Sequence, residues 1–151
     1  MEEILPVESV EEYFEHFPIL EIDYTFYRPF LDKNGKPTPN FLTLKQYRQY
    51  LKKDDWLILK VPQLIFARRI RQGGRFIDNE AYLNQEIFTN QFYQPTVEIL
   101  GPNLNGFIFE QEYQPKKERV DAGEMAKSLD AFSEAVPKDK RYHIEPQQFR
   151  N

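Results

Sequence analysis

Four short strand-like runs, in which apolar residues end in polar ones, recur along the chain, and stretches with helical periodicity separate them. The runs occupy residues 19–27, 56–63, 106–113 and 141–147. Apolar residues between the runs recur at helical spacing, which predicts helices at about residues 43–53, 79–100 and 121–135. Pro95 should kink or split the second of these helices, because proline has no amide hydrogen to donate.

This alternation of strand and helix is typical of a parallel sheet with covering helices. It predicts an α/β fold, a partial TIM-type (β/α) barrel of about four parallel strands, in a single partial domain that covers residues 1–151. A complete barrel has eight strands. Four strands leave both edges of the sheet without a partner, so we expect self-association through these open edges.

Composition and charge restrict the class of protein. Hydrophobic residues make up 40% of the chain, which is enough for a packed core. The formal net charge of −4 disfavours a broad surface for nucleic acid or an anionic membrane. Cysteine is absent, which excludes disulfides and thiolate metal sites. No apolar run approaches the roughly 20 residues that span a bilayer, so we expect a cytoplasmic protein with no membrane partner.

Polar residues close the predicted strands and identify a candidate site. Ligands of parallel α/β folds bind where the carboxyl ends of the strands meet the loops. Side chains alternate along a strand, which predicts that Phe109 and Gln111 share one face of the third strand. The residues expected to meet at this site are Glu21, Asp23, Thr25, Tyr27, Lys60, Gln111 and Glu145.

Lys60 is the central residue of this predicted site. Beside carboxylates it could bind an anionic substrate group, or act as an acid or base if its surroundings shift its pKa. The alternative is that Lys60 only pairs with Glu21 or Glu145 and so holds the interior together, since buried charges need partners. The candidate catalytic residues are Lys60, Glu145 and Asp23, and the candidate ligand-binding residues at the strand ends are Glu21, Thr25, Tyr27 and Gln111.

An arginine-rich loop over residues 68–75 is a second candidate site. Arg68, Arg69 and Arg71 carry guanidinium groups that suit phosphate, and the adjacent Gly73-Gly74 lets backbone amides approach an anion. A phosphorylated or nucleic-acid-like ligand is one interpretation. The other is a solvated charged surface, because no known phosphate-loop spacing is present.

Metal binding is not predicted, and the sequence identifies no cofactor. His143, Glu145 and Asp23 carry suitable ligand atoms. The chain has only two histidines, however, and they do not form a helical pair at metal-binding spacing.

Four motifs, in order along the chain, resemble domain of unknown function 72, a bacterial and archaeal family of YecE-like proteins. The most specific is residues 21–27, Glu-Ile-Asp-Tyr-Thr-Phe-Tyr, and the others are Lys60-Val61-Pro62, residues 106–111 and Glu145. The resemblance implies a TIM-like barrel of which this chain supplies the second to fifth strands. It therefore also implies a fragment that lacks the first strand and everything after the fifth.

The chain departs from the family pattern at several positions. Phe66 and Ala67 stand where the family usually has Thr-His, and Gln147 stands where it has Arg. The roles of those family positions are not carried over to this chain. Residues 146–151 also look unlike the family, as a premature stop or frameshift would leave them.

The leading expectation is therefore a truncated, inactive copy of an uncharacterised barrel protein. Its complete relatives would bind a polar or phosphorylated ligand at the strand carboxyl ends, as a hydrolase or lyase. The alternative is a non-enzymatic module that binds phosphate or a nucleic-acid end through the basic loop. A third interpretation is a small four-stranded domain complete in itself, which would unfold cooperatively as a monomer.

Overall fold

A parallel sheet of four strands organises the residues that the computed structural model describes, which are 7–110 and 121–145. In spatial order the strands are β1 (Ile19–Ile22), β2 (Trp56–Lys60), β5 (Leu104–Glu110) and β6 (Tyr142–Glu145). A separate antiparallel pair consists of β3 (Arg69–Gln72) and β4 (Arg75–Asp78). The predicted α/β fold with four parallel strands is confirmed, but no closed barrel is present within the described ranges.

Helices connect the strands of the sheet. They are α1 (Val7–His16), α2 (Pro39–Arg48), α3 (Gln63–Phe66), α4 (Gln85–Phe88), α5 (Gln94–Leu100) and α6 (Ala122–Ala135), with 3-10 turns at Tyr24–Phe26 and Gly101–Asn103 and a π turn at Thr89–Tyr93. The side chain of Asp121 caps α6 by accepting from the amides of Gly123 and Glu124. No helix in the described part of the chain is long and apolar enough to cross a membrane.

The two faces of the sheet differ in what lies against them. On one face, here called the covered face, strand residues such as Leu57, Leu59 and Phe107 are fully buried with apolar residues of the helices. On the opposite, open face, Ile19 and Trp56 are 39% and 43% exposed. Alternation along β1, β2 and β5 therefore separates a packed core from a face without helix cover, whereas β6 is exposed from His143 to Glu145.

The predicted helix over residues 79–100 is split where Pro95 requires it. Pro95 cannot donate to the carbonyl of Gln91, four residues earlier, so that carbonyl lacks its α-helical donor. It instead accepts from the amides of Phe30 at 3.1 Å and Leu31 at 3.0 Å. The π turn before Pro95 thus holds the loop that follows β1.

The predicted arginine-rich loop is a β-hairpin. Gly73 and Gly74 have φ values of +59° and +78°, and positive φ at both central residues is what a type I′ turn requires. The Asn79 side chain closes the base of the hairpin by donating to the carbonyls of Leu64 and Ala67, each at 2.6 Å. The expectation of an irregular loop was wrong because Gly-Gly between two short strands also favours a hairpin.

A buried ion pair fixes the start of β6. Asp139, whose side chain is 6% exposed, accepts from Nε and Nη2 of Arg141 at 2.8 and 2.7 Å and from the hydroxyl of Tyr93 at 2.9 Å. The hydrogen bonds from Arg141 are the largest cause that lowers the pKa of Asp139 to about 2. These residues lie at the amino ends of the strands, so we assign them a role in stabilising the fold and not in binding a ligand.

Candidate functional site

The end of β1 determines which side chains reach the site. After Ile22 the chain enters a 3-10 turn, so strand alternation stops and Tyr24 and Thr25 are both buried. The hydroxyl of Thr25 donates to the carbonyl of Lys60 at 2.6 Å and ties the end of β1 to β2. Thr25 therefore does not share the open face with Glu21, in contrast to the prediction, and it has no exposed surface for a ligand.

Lys60 lies at the carboxyl end of β2, between carboxylates from both neighbouring strands. Its Nζ is 2.8 Å from Oε2 of Glu110 and 3.4 Å from Oδ1 of Asp23. The register explains the first contact, since Lys60 pairs with Ile108 on β5 and Glu110 follows on the same face. The ring of Phe26 lies 5.9 Å from Nζ. Lys60 is thus held on three sides.

The neighbouring carboxylates also keep Lys60 protonated. Burial alone would lower its pKa, but the hydrogen bond to Glu110 and the charge of Asp23 outweigh burial and raise the pKa above the usual lysine value. A catalytic base at neutral pH needs the opposite shift. Of the two interpretations of Lys60, the geometry favours a permanent cation that holds carboxylates in place.

The contact from β5 comes from Glu110, which the sequence analysis did not single out. The placement of Phe109 on the site face was wrong, because Phe109 packs in the core against Phe66 and Phe88. Gln111, the predicted site residue, lies outside the described residues. The run Phe107-Ile108-Phe109 has no polar residue to mark its faces. The two aromatic residues were the available signal, since large rings favour the helix-covered side.

Glu21 and Glu145 complete the site from the two edge strands. Burial, then the charge and hydrogen bond of Asp23, raise the pKa of Glu21, and repulsion from Glu145 adds to this. Three strand spacings separate β1 from β6, about 14 Å in a flat sheet. The strand register places both side chains on the open face, as it does those of Lys60 and Glu110. Together with Lys60 these residues form the acidic cluster, which consists of Glu21, Asp23, Lys60, Glu110 and Glu145.

Tyr27 stands at the border of the acidic cluster. It is 55% exposed, and its ring packs edge-on against Phe26 with a centroid distance of 5.3 Å. Phe26 in turn lies beside Lys60. The predicted ligand-binding residue Tyr27 is therefore adjacent to the site and accessible from solvent.

The three predicted arginines lie on the hairpin, and they have different surroundings. Arg69 is committed to the hairpin itself, with Nη2 donating to the carbonyl of Phe76 at 2.8 Å and Nε 3.3 Å from Asp78. Arg71 is exposed and stacks over the Phe76 ring at 5.2 Å, and Arg68 is exposed at the base. The hairpin and the acidic cluster are thus two separate charged surfaces.

Metal ligation has no support from the geometry. In the two described ranges, no group of three or more histidine, aspartate or glutamate side chains is placed to hold a metal ion. His143 is exposed on β6, where it pairs in register with Ile108.

Comparisons of the chain with family models, with curated proteins and with solved structures find no match. The resemblance to YecE-like proteins therefore depends on four short motifs alone. The chemistry of the acidic cluster has to be argued from its own residues.

Proposed function

We propose that the acidic cluster is a binding site for a cationic group, an amine or a guanidinium, carried by a partner molecule. The observation that supports this most strongly is the excess of carboxylates on the open face: Glu110 and Asp23 contact the ammonium of Lys60, and Glu21 and Glu145 lie on the two edge strands. Burial, and then repulsion from Asp23, raise the pKa of Glu21. A bound cation would relieve that repulsion, whereas the phosphorylated ligand expected for this edge would increase it.

Each residue has a distinct role in this proposal. Lys60 neutralises part of the charge and fixes Asp23 and Glu110, so its own ammonium is not available to an anion. Glu21 and Glu145 are exposed and would contact the ligand. The exposed ring of Tyr27 provides an aromatic surface next to them, on which a guanidinium or an alkylammonium can rest.

The test is binding of a tetra-arginine peptide, measured by calorimetry at low salt, to the native chain and to Glu21→Gln and Glu145→Gln. Each of these exposed contacts is worth up to about 1 kcal/mol, so each variant should bind up to about fivefold more weakly. The matched control is Glu98→Gln, an exposed glutamate of α5 beyond the covered face. Equal affinity of all four proteins would overturn the proposal, as would tighter binding of a tetra-glutamate peptide.

A second candidate function is binding of phosphate or a nucleic-acid end by the hairpin. Exposure of Arg68, Arg71 and Arg75 around a Gly-Gly turn favours it. Arg71→Ala should then weaken binding of a 5′-phosphorylated oligonucleotide and reduce the slope of affinity against salt by about one. An unchanged slope would exclude Arg71 as a phosphate ligand.

We also propose that the four strands correspond to consecutive strands of a TIM-type barrel, as in the YecE-like family. Parallel strands in chain order and helix cover on one face support this correspondence. In a complete relative with hydrolase or lyase activity, Glu21 would suit a proton donor because its pKa is raised. An experimental structure tests the correspondence, which requires strands tilted by about 36° to a common axis.

A further inference from the structure

A cleft lies between the base of the β3–β4 hairpin and α6. Its volume is about 390 Å³, and it is lined by Arg68, Tyr82, Glu124, Lys127 and Ser128. A second cavity of about 320 Å³ shares Tyr82 and Ser128 with the first and continues along α6. Each volume is within the range of small-molecule sites, roughly 300–1,000 Å³. The two cavities together are called the α6 cleft.

The α6 wall of the cleft has a polar end and an apolar end. Its residues recur three or four positions apart, which places them on one face of the helix. They are Glu124, Lys127, Ser128, Ala131 and Ala135. The first three carry charged or hydroxyl groups, and the two alanines carry only methyl groups. The alanine end is completed by Leu83, Gln85 and Phe132, of which only Gln85 is polar.

The opposite wall is held by Asn79. Its backbone amide donates to the carbonyl of Arg68 at 3.0 Å, and its carbonyl accepts from the amide of Tyr82 at 3.1 Å. The side chain of Asn79 donates to the carbonyls of Leu64 and Ala67. Because one anchored residue holds the backbone of both Arg68 and Tyr82, the two side chains start from fixed positions before any ligand binds.

The polar end of the α6 cleft carries an excess of hydrogen-bond donors. Arg68 and Lys127 supply two cations, and neither forms a salt bridge with another residue of the described ranges. Burial raises the pKa of Tyr82 and outweighs the opposing charge of Arg68, so the phenol remains protonated and can donate. Ser128 adds a second hydroxyl, and Glu124 is the one carboxylate among the residues that line this end.

We infer that the α6 cleft binds a small phosphate monoester, with the phosphate at the polar end and the esterified group against Leu83 and Ala131. A carboxylate has two acceptor oxygens, whereas a phosphate monoester has three terminal oxygens and a charge of about −1.5 to −2 at neutral pH. The guanidinium fork of Arg68, the ammonium of Lys127 and the two hydroxyls can serve all three oxygens. Glu124 offsets one of the two cations, which favours a single phosphate over a polyphosphate.

The α6 cleft shares no residue with the acidic cluster, so this inference does not rest on the proposed function. It also differs from phosphate binding at the hairpin tip, since it uses Arg68 at the base of the hairpin together with α6.

Calorimetry with phenyl phosphate at low salt tests the polar end. Arg68→Gln and Lys127→Gln each remove a cation from the phosphate, so each variant should bind at least about fivefold more weakly than the native chain. Glu124→Gln removes a repulsive charge and should bind up to about fivefold more tightly. A glutamate with only a structural role would not give that gain. Circular dichroism checks that each variant is folded.

The matched control is Arg71→Gln, which removes an exposed guanidinium from the hairpin but not from the α6 cleft. It should bind phenyl phosphate as the native chain does. If Arg71→Gln loses as much affinity as Arg68→Gln, the phosphate lies at the hairpin tip and the inference fails. Native affinity in both Arg68→Gln and Lys127→Gln would also overturn it.

A change of the ester group tests the apolar end. The native chain should bind phenyl phosphate at least about tenfold more tightly than methyl phosphate, since the ring buries apolar surface that a methyl group lacks. Ala131→Leu fills this end of the cleft, so it should weaken binding of phenyl phosphate and leave that of methyl phosphate unchanged. Equal affinity of the native chain for both esters would sink the inference, because the cleft would then recognise phosphate alone.

Discussion

At the scale of single residues, the surroundings of a charge decide its chemistry. A lysine at the end of a barrel-like strand suggests a base or an anion site. The two carboxylates around Lys60 instead keep it protonated and turn it into a structural cation. The charged groups that we propose to contact a ligand are therefore Glu21 and Glu145, which Lys60 does not fully neutralise.

Removing the Lys60 ammonium should destabilise the fold. Lys60→Met leaves Asp23 and Glu110 close together without their cation, and we expect the free energy of unfolding to fall by about 2 kcal/mol at neutral pH. Urea unfolding measures this loss. The difference from the native chain should shrink at acid pH, because protonated carboxylates no longer need a cation. Lys53→Met, at an exposed position, is the control, and an equal loss in both variants would contradict the assigned role.

Asp139 should produce an acid-dependent loss of stability. Its pKa is lowered to about 2 in the folded state, so its contribution is present above the ordinary aspartate pKa of about 3.9 and disappears as the pH falls towards 2. Urea unfolding of the native chain across this range should show a loss of about 2 kcal/mol that Asp139→Asn does not show. Asp54→Asn, at an exposed position, should retain it.

At the scale of elements, local backbone chemistry sets the shapes around the sheet. A proline splits one helix, a glycine pair makes a hairpin, and a 3-10 turn ends β1 early. Each of these features changes which side chains reach the site. Two of them can be tested by single substitutions.

Pro95→Ala should loosen the loop after β1. The new amide at position 95 can donate to Gln91 and compete with the amides of Phe30 and Leu31. We expect hydrogen exchange of these two amides to become about tenfold faster, which corresponds to about 1.4 kcal/mol of protection. Pro137→Ala, before β6, should leave both rates unchanged. Unchanged rates in Pro95→Ala would show that the loop has another anchor.

Gly74→Ala should weaken the hairpin without affecting the sheet. A side chain at φ +78° is strained, at a cost of about 1 kcal/mol. Cross-strand contacts between β3 and β4, measured by NMR, should diminish, while urea unfolding of the main transition shifts little. Gly35→Ala carries the same strain at φ +77° in another turn, and it should leave the hairpin signals intact.

The sequence predicted the strands well and their ends poorly. Each of the four predicted runs overlaps a strand of the main sheet, and the clearest is the run 56–63, because a continuous apolar run is a strong signal for a buried parallel strand. The run 19–27 nevertheless ends its strand at Ile22, since a tertiary bond between Thr25 and Lys60 overrides the strand pattern. The sequence predicted that Lys60, Asp23 and Glu145 share one site, and the structure places Lys60 beside Asp23. Glu110 was missed because the faces of an all-apolar run cannot be told apart.

At the scale of the whole molecule, the open face is the dominant feature. Parallel sheets are normally covered on both faces. Here the helices cover one face, while Ile19 and Trp56 on the other are exposed. The open face combines an apolar region at the amino ends of the strands with the acidic cluster at the carboxyl ends. Self-association through the apolar region and self-association through the acidic cluster can be distinguished by which side chains become buried.

Trp56, the single tryptophan, reports which region is covered on assembly. It precedes Lys60 by four residues, about 13 Å along β2. Self-association that covers the apolar region of the open face would bury Trp56, which is 43% exposed in the single chain. We then expect its fluorescence maximum to shift to the blue as the protein concentration rises, whereas an unchanged maximum would show that this region stays exposed.

The carbonyl of Gln91 has a wider consequence. Because Pro95 has no amide hydrogen, the carbonyl of Gln91 has no α-helical donor and can accept from the amides of the loop after β1. The loop therefore does not compete with an α-helical hydrogen bond for the carbonyl of Gln91. The turn that carries Tyr27 continues into that loop. The shape of the open-face site therefore depends on Pro95, a residue on the covered side of the sheet that has no amide hydrogen.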